Sequence, residues 1–188
     1  MWAITPKSLL TDAERAGVLE HFLALEPEDR RLRFGLAVTD SFVQHYVNML
    51  FDDDRSELFV IFAENSVAAV CHVAVAQQEG ELGFSVLPRY RGSGMTSALF
   101  ARAVSYLRVH RVETVYIHCL SENRVMQHIA RKNNMTVVTD LGESDARLNM
   151  PEPTLLTLYE NNSATRVAIY DAIMRQHVAV FRRMWNLG

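Results

Sequence analysis

Residues 81–96 read ELGFSVLPRYRGSGMT, from Glu81 to Thr96. A Phe- and Val-bearing run closes on Leu87-Pro88, since proline lacks the N–H that a sheet ladder needs. A short loop with Arg89, Arg91, Gly92 and Gly94 follows. From residue 93 apolar residues recur at helical spacing: Leu99, Ala103 and Leu107 form one stripe, with Phe100 and Val104 beside it. The stretch therefore reads as strand, glycine-bearing loop, helix over 93–109. A helix N-terminus exposes unpaired N–H groups and the positive end of the macrodipole. Gly92 and Gly94 permit a nest of N–H groups close to a ligand. Residues 89–112 hold five arginines (89, 91, 102, 108, 111) and no acid. Together these features predict a cradle for pyrophosphate.

The neighbours of this stretch set the fold class. Segments 57–63, 67–76 and 80–87 are short and rich in Val and Phe. Turn-like ENS and QQEG separate them, and they read as an antiparallel meander. The loop is thus no Walker P-loop, because Gly-Lys-Ser/Thr is absent, nor GxGxxG opening a parallel unit. Downstream, ETVYIHCL (113–120) predicts a strand, 122–133 a helix, 135–140 a strand and ARLNM (145–149) a last strand. Upstream, residues 2–5 suggest a short strand. Thr11 and Glu14 form a capping-box pattern opening a helix to Leu25. Pro27, Glu28 and Asp29 start a second helix ending near Gly35. Asp40 caps a third, with Val43, Tyr46, Val47 and Leu50 at helical spacing. The order defines an α+β layered fold with a mixed, mostly antiparallel central sheet flanked by helices. Pro151 and Pro153 mark a boundary, giving a domain over 1–150 and an extension over 151–188. A long helix from Leu155 to Trp185 carries the stripes Tyr170, Met174, Val178, Phe181, Trp185 and Ile169, Ile173, Val180, Met184. That wide face packs on its own domain or on a second copy, as a homodimer.

Composition narrows the function classes. The 188 residues hold 17 Arg, only Lys7 and Lys132, and 22 acids, for a net charge of −3 and a pI of about 6.2. Mild acidity argues against a dedicated nucleic-acid binder. Cys71 and Cys119 make neither a disulfide framework nor a zinc signature, and the histidines show no metal spacing. The apolar window 58–76 is broken by Glu64-Asn65-Ser66 into two strands, so no membrane span is expected. With no signal-peptide pattern at the N-terminus, a cytoplasmic location is expected.

The segment Val86-Leu87-Pro88-Arg89-Tyr90-Arg91-Gly92-Ser93-Gly94 resembles motif A of the GNAT superfamily of N-acetyltransferases. In that family an Arg/Gln-x-x-Gly-x-Gly/Ala signature binds the pyrophosphate of acetyl-CoA. Arg91, Gly94 and Thr96 fall in the family's register, with Thr96 departing from the usual Gly or Ala. The competing register, Arg89-x-x-Gly92-x-Gly94, fits the letters but places its glycines one turn too early for the helix. Residues 113–135 resemble motif B, and Asn123 matches the Asn that contacts the pantetheine arm.

The resemblance implies acetyl-CoA as cosubstrate, with no metal. It would be held by Ser85, Val86 and Leu87 through backbone N–H groups in a gap of the sheet, by Arg91, Gly92, Ser93, Gly94, Met95 and Thr96, and by Asn123. It implies direct transfer of the acetyl group to a primary amine in a ternary complex. Glu81, at the start of the same strand, is the candidate general base; its other reading is a solvated turn carboxylate. Many family members carry a Tyr acid seven residues after the motif-B Asn, and here that position is Ala130. Tyr90 and Tyr116 are alternative acids. Cys119 is a weaker candidate for the acetyl group, and His72 and His118 read as core or edge histidines. Asn123-Arg-Val-Met126, Ile129-Ala130 and PEDRRLRFG (27–35) look more like the family's protein-lysine members, so a protein lysine is the alternative acceptor. With Ala130 and Thr96 off-pattern, a non-catalytic acyl-CoA-binding sensor or scaffold is the reading from another class.

Overall fold

A computed structural model describes residues 2–184 of the chain. Seven strands form one sheet: β1 (Thr5–Pro6), β2 (Ser56–Ala63), β3 (Ser66–Ala76), β4 (Glu79–Val86), β5 (Thr114–Leu120), β6 (Thr136–Asp140) and β7 (Glu143–Asn149). The spatial order is β1-β2-β3-β4-β5-β7-β6. Every pair is antiparallel except β4 and β5, which run parallel. Helices α1 (Asp12–Leu23), α2 (Pro27–Phe34), α3 (Asp40–Asp52), α4 (Met95–Val109), α5 (Arg124–Lys132) and α6 (Leu155–Met184) complete the fold.

Local chemistry explains the helix starts. Thr11 accepts from the Glu14 N–H, and the Glu14 carboxylate accepts from the Thr11 N–H, so the capping box forms. Pro27 opens α2, where its missing N–H costs nothing, and Gly35 ends it at φ +78°. The first strand is the main displacement from the sequence reading: residues 5–6, not 2–5, pair with Phe59 and Val60.

The sheet separates two cores. On one face Val18 and Phe22 of α1 and Val43, Val47 and Leu50 of α3 pack on Leu58, Val60, Val67 and Val70. On the other, Leu99, Phe100, Ala103 and Leu107 of α4 pack on Phe59, Ile61, Leu82 and Phe84, joined by Ala130 and Met135. Each layer thus supplies one apolar stripe to an alternating strand face.

Parallel pairing of β4 with β5 stops after three residues, Glu79–Thr114, Gly80–Val115 and Glu81–Tyr116. Beyond that point β4 stays bonded to β3 and β5 to β7. The strands splay, and Leu82–Val86 faces Ile117–Leu120 across an open gap. Backbone groups lining it lack ladder partners on that side, which is costly unless solvent or a ligand satisfies them.

The arginine-rich run is divided between tasks. Arg102 is buried, donates to Asn161 Oδ1 at 2.7 Å and lies 4.5 Å over the Phe59 ring. Arg108 donates to the Glu152 carbonyl at 3.1 Å. These two hold α6 and its approach against α4, and the single phosphate-directed cluster expected from the sequence does not form. Arg175 ties α6 to the other side of the molecule, pairing with Glu14 at 2.8 Å and covering Phe62 at 4.3 Å. Burial alone would raise the Glu14 carboxyl, but the Thr11 N–H and the Arg175 guanidinium hold it below the usual carboxylate range.

Small residues, Ala168 and Ala172, face the domain, whereas Tyr170, Met174, Val178, Ile169, Ile173 and Val180 are exposed. Of the predicted stripes, Trp185 lies outside the described residues, as do the side chains of Phe181 and Met184.

Candidate active site

Two cavities meet at the β4–β5 gap. One, of about 180 Å³, is lined by Ser85, Val86, Arg91, Thr96, Asn123 and Ile129. The other, of about 330 Å³, is lined by Glu81, Gly83, His118, Cys119, Glu143 and Asp145. Leu32, Arg33, Phe84 and Met126 line both, so they mark the junction.

The first cavity ends at the glycine loop. Gly94 is the N-cap of α4 at φ +83°, and Gly92 lies at φ +75°. A Cβ on either would meet nothing within 4 Å, so glycine is required here by the left-handed backbone rather than by crowding. The space beside the loop is open to a ligand. Met95 is buried in the α4 core, so it offers only its backbone N–H. Ser93 donates to the Tyr90 carbonyl at 2.6 Å and stays exposed, while Thr96 faces the cavity.

The two loop arginines part company. Arg91 lines the cavity and pairs with Asp29 of α2 at 2.6 Å. Arg89 turns away, donating to Ser66 Oγ at 3.0 Å and stacking 4.8 Å over Tyr90. Of the two registers, the one through Arg91 puts its cation at the cavity.

Backbone direction along β4 follows from one bond. Leu87 N–H donates to the Ala68 carbonyl at 3.0 Å, and its side chain is buried. Alternation of an antiparallel ladder then turns the Ser85 N–H toward β3 as well, and the N–H groups of Phe84 and Val86 toward the gap. Phe84 therefore belongs with Val86 as a donor, which sequence alone does not signal without the register. The Ser85 hydroxyl instead meets buried His21 Nε2 at 2.7 Å, and His21 Nδ1 meets the Val67 carbonyl at 3.0 Å. Burial pushes His21 down to about 4, with Arg33 adding to the fall, so the ring is neutral at pH 7.

Asn123 caps α5, its Oδ1 accepting from the Met126 N–H at 3.1 Å, and its amide reaches the Leu32 carbonyl at 3.5 Å. It is buried at the cavity wall and links α5 to α2. The Arg31–Glu122 ion pair adds a second link between the same segments.

The second cavity has an acidic rim. Glu81 is exposed at its mouth. His118 Nδ1 pairs with Asp145 Oδ1 at 2.6 Å, and its ring stacks on Tyr116 at 5.9 Å. His118 therefore sits on the exposed wall of the cavity, with an orienting carboxylate that appears only when β7 inserts beside β5. Tyr116 donates to Glu79 at 3.2 Å, outside both cavities, and Tyr90 donates to Glu64 at 3.3 Å, near the β2–β3 turn. Burial raises the Cys119 thiol, helped by Asp145, so it stays protonated. Ala130 is buried in the α4-side core and lines neither cavity. Among the described residues no cluster of three metal-ligating side chains occurs, and no helix is long and apolar enough to cross a membrane.

This arrangement is that of a known family. Residues 18–135 match the acetyltransferase (GNAT) family model, and the chain belongs to that family. The fold resembles the GNAT domain of S. lividans PAT, with a TM-score of 0.65 and 14% identity, over 78% of this chain and 89% of that one. It also resembles the N-acetyltransferase PseH of Campylobacter jejuni in complex with acetyl coenzyme A (TM-score 0.55, 14% identity, 80% and 100% covered). A third likeness is to the ribosomal-protein alanine N-acetyltransferase of Escherichia coli (0.58, 15% identity, 82% and 96% covered). Among curated proteins nothing matches the sequence.

Proposed function

We propose that this protein transfers the acetyl group of acetyl-CoA to a primary amine by direct attack in a ternary complex. The observation that carries the reading is the splayed β4–β5 gap, with a cation and a helix N-terminus at one end and an acidic mouth at the other. The residues present fit acetyl-CoA. The open nest at Gly92–Gly94, the first turn of α4 with Thr96, and Arg91 suit the pyrophosphate. Unpaired backbone donors of β4 suit the pantetheine and the thioester oxygen, and Asn123 borders the arm. When bound, acetyl-CoA supplies an activated acyl group. Everything else falls to the chain: placing the amine beside the thioester is worth several kcal/mol, on the order of 7–11 in well-oriented reactions.

In the net reaction the amine nitrogen forms a bond to the carbonyl carbon and the carbon–sulfur bond breaks, its electron pair leaving on sulfur. One amine proton must be removed. Glu81 stands at the acidic mouth for that task, directly or through water. Glu81→Gln is expected to lower kcat about 100-fold while acetyl-CoA affinity stays within twofold. Thiol release from acetyl-CoA, measured over a panel of spermidine, lysine, small primary amines and lysine-bearing peptides, checks both points. Unchanged turnover in the variant would remove Glu81 from the chemistry. Thiol release with none of the amines, despite tight acetyl-CoA binding, would favour the sensor or scaffold reading.

The acidic rim of Glu81, Glu143 and Asp145 favours a positively charged acceptor. A protein amine is the specific alternative, a lysine side chain in particular. A protein amine as such is supported by the exposed mouth and by the likeness to the fold of a ribosomal-protein alanine N-acetyltransferase. The exposed stripe of α6, with Tyr170, Met174 and Ile173, supports a homodimer. Light scattering is expected to give twice the 21.4 kDa chain mass. A monomeric mass at micromolar concentration would contradict it.

A further inference from the structure

Arg33 is the least ordinary side chain at the junction. It comes from α2, lines both cavities, and fills the notch left by Gly83 on β4. A Cβ at residue 83 would lie 2.4 Å from its Nη2 and 2.6 Å from Cζ, so the strand yields its side chain to the guanidinium. The notch lies two residues past the last β4–β5 pair, where the gap opens.

The surroundings hold this cation in place without neutralising it. Arg33 Nη2 donates to the Tyr46 hydroxyl at 2.7 Å, and the guanidinium stacks 5.2 Å from the Phe34 centroid and 5.6 Å from that of Tyr46. Tyr46 in turn meets His72 Nδ1 at 3.2 Å, His72 Nε2 meets Ser56 Oγ at 3.1 Å, and Ser56 donates to Asp53 at 3.2 Å. This chain orients the Tyr46 oxygen lone pair toward Arg33. Among the described residues no carboxylate lies within 4.0 Å of the guanidinium, and Arg33 Nε is buried without a hydrogen-bond partner. A partly buried cation with no counter-ion is costly, so its retention at a site calls for a negative partner that arrives with a ligand.

We propose that the Arg33 guanidinium carries the negative charge of the departing CoA sulfur, in the place of a protonating acid. This rests on the acetyl-CoA reading above. In the transfer, nitrogen–carbon bond formation and carbon–sulfur cleavage leave the electron pair on sulfur. Arg33 stabilises that thiolate by charge and hydrogen bonding. The proton removed from the amine goes to the base at the acidic mouth and then to solvent, and the thiolate is protonated after it leaves. Ala130, buried in the opposite core, supplies no acid, and the guanidinium at the junction makes one unnecessary.

The test reads the thiol of bound CoA. Wild type, Arg33→Lys and Arg33→Met are each saturated with CoA, and the thiolate ultraviolet absorbance is followed from pH 6 to pH 10 against a desulfo-CoA complex. Free CoA is titrated in parallel. The bound thiol in wild type is expected to titrate at least one unit below free CoA, a tenfold gain in thiolate. In Arg33→Met it is expected to return to the free value or above, with Arg33→Lys between. A wild-type thiol that titrates at or above free CoA overturns the proposal, as does a depressed value that survives in Arg33→Met. Should Arg33→Met not fold, wild type and Arg33→Lys still decide: equal depression in both overturns the guanidinium's special role. Failure of desulfo-CoA to bind wild type, by calorimetry, would instead overturn the acetyl-CoA reading itself.

Discussion

Arg91→Ala weakens acetyl-CoA binding by roughly 10- to 100-fold, while Arg89→Ala changes it less than about twofold. The expected sizes follow from what each charge touches. A hydrogen bond to a charged partner contributes about 1.5–3 kcal/mol, and about 1.4 kcal/mol corresponds to a decade of affinity. Arg91 stands at the cavity beside the N-terminus of α4, whereas Arg89 is engaged with Ser66 and Tyr90 at the far turn. Arg91 also has a competitor, since Asp29 already holds it at 2.6 Å. Binding of a pyrophosphate must share or displace that carboxylate. The salt dependence of binding should therefore be shallower in Arg91→Ala than in wild type. Calorimetric titration of both variants checks the prediction. Equal losses in the two would mean that the loop binds by general positive charge. A loss confined to Arg89→Ala would reinstate the other register.

Acid is expected to destabilise this protein from about pH 6.5 downward, before most of its carboxylates titrate. His21 and His72 are both pushed down to about 4, mainly by burial, with the Arg33 charge adding to the fall in each. In the unfolded chain each takes a proton near pH 6.5. The folded pKa is depressed, so these groups contribute fully above about pH 6.5, and the contribution declines as pH falls from there toward 4. In the middle of that window the unfolded state binds nearly two more protons than the native state. There the loss is about 2–3 kcal/mol per pH unit for the pair. Over two units this approaches the whole stability of an ordinary domain, on the order of 5–15 kcal/mol. Urea unfolding between pH 7 and pH 4.5 measures the slope. His21→Gln and His72→Gln should each remove about half of it, whatever they do to absolute stability. Stability that stays flat between pH 6.5 and pH 4.5 would show that the two rings charge freely in the folded protein.

Much of this architecture was legible from residues 81–96 outward. A meander ending at Pro88, then glycines, then the Leu99–Ala103–Leu107 stripe, yields strand, loop and helix because each feature is local in the chain. The family and the layered α+β fold followed from the same stretch. The features hidden from the sequence are those made by register and crossover. That β7 inserts between β5 and β6 cannot be read from period-two patterns, and it is this insertion that gives His118 its Asp145. Which N–H groups face the gap depends on a single-residue register, so Phe84 was not distinguishable from Ser85. The acid-free arginine run looked like one electrostatic feature, yet Arg102 and Arg108 serve α6, because linear proximity on a helix spreads side chains around its circumference. Arg33 had only its place in PEDRRLRFG to mark it. A notch at Gly83 fifty residues away is visible only once α2 lies over the sheet.

Acetyl-CoA lying across the β4–β5 gap is the premise common to the roles of Arg91, Glu81 and Arg33. The most direct measurement is a crystal structure of the protein grown with CoA. Density is expected for the pyrophosphate against Arg91 and the Gly92–Gly94 loop, the pantetheine arm between β4 and Asn123, and the sulfur at the junction beside Arg33. Density for CoA on any other surface, with the gap empty, would contradict that premise.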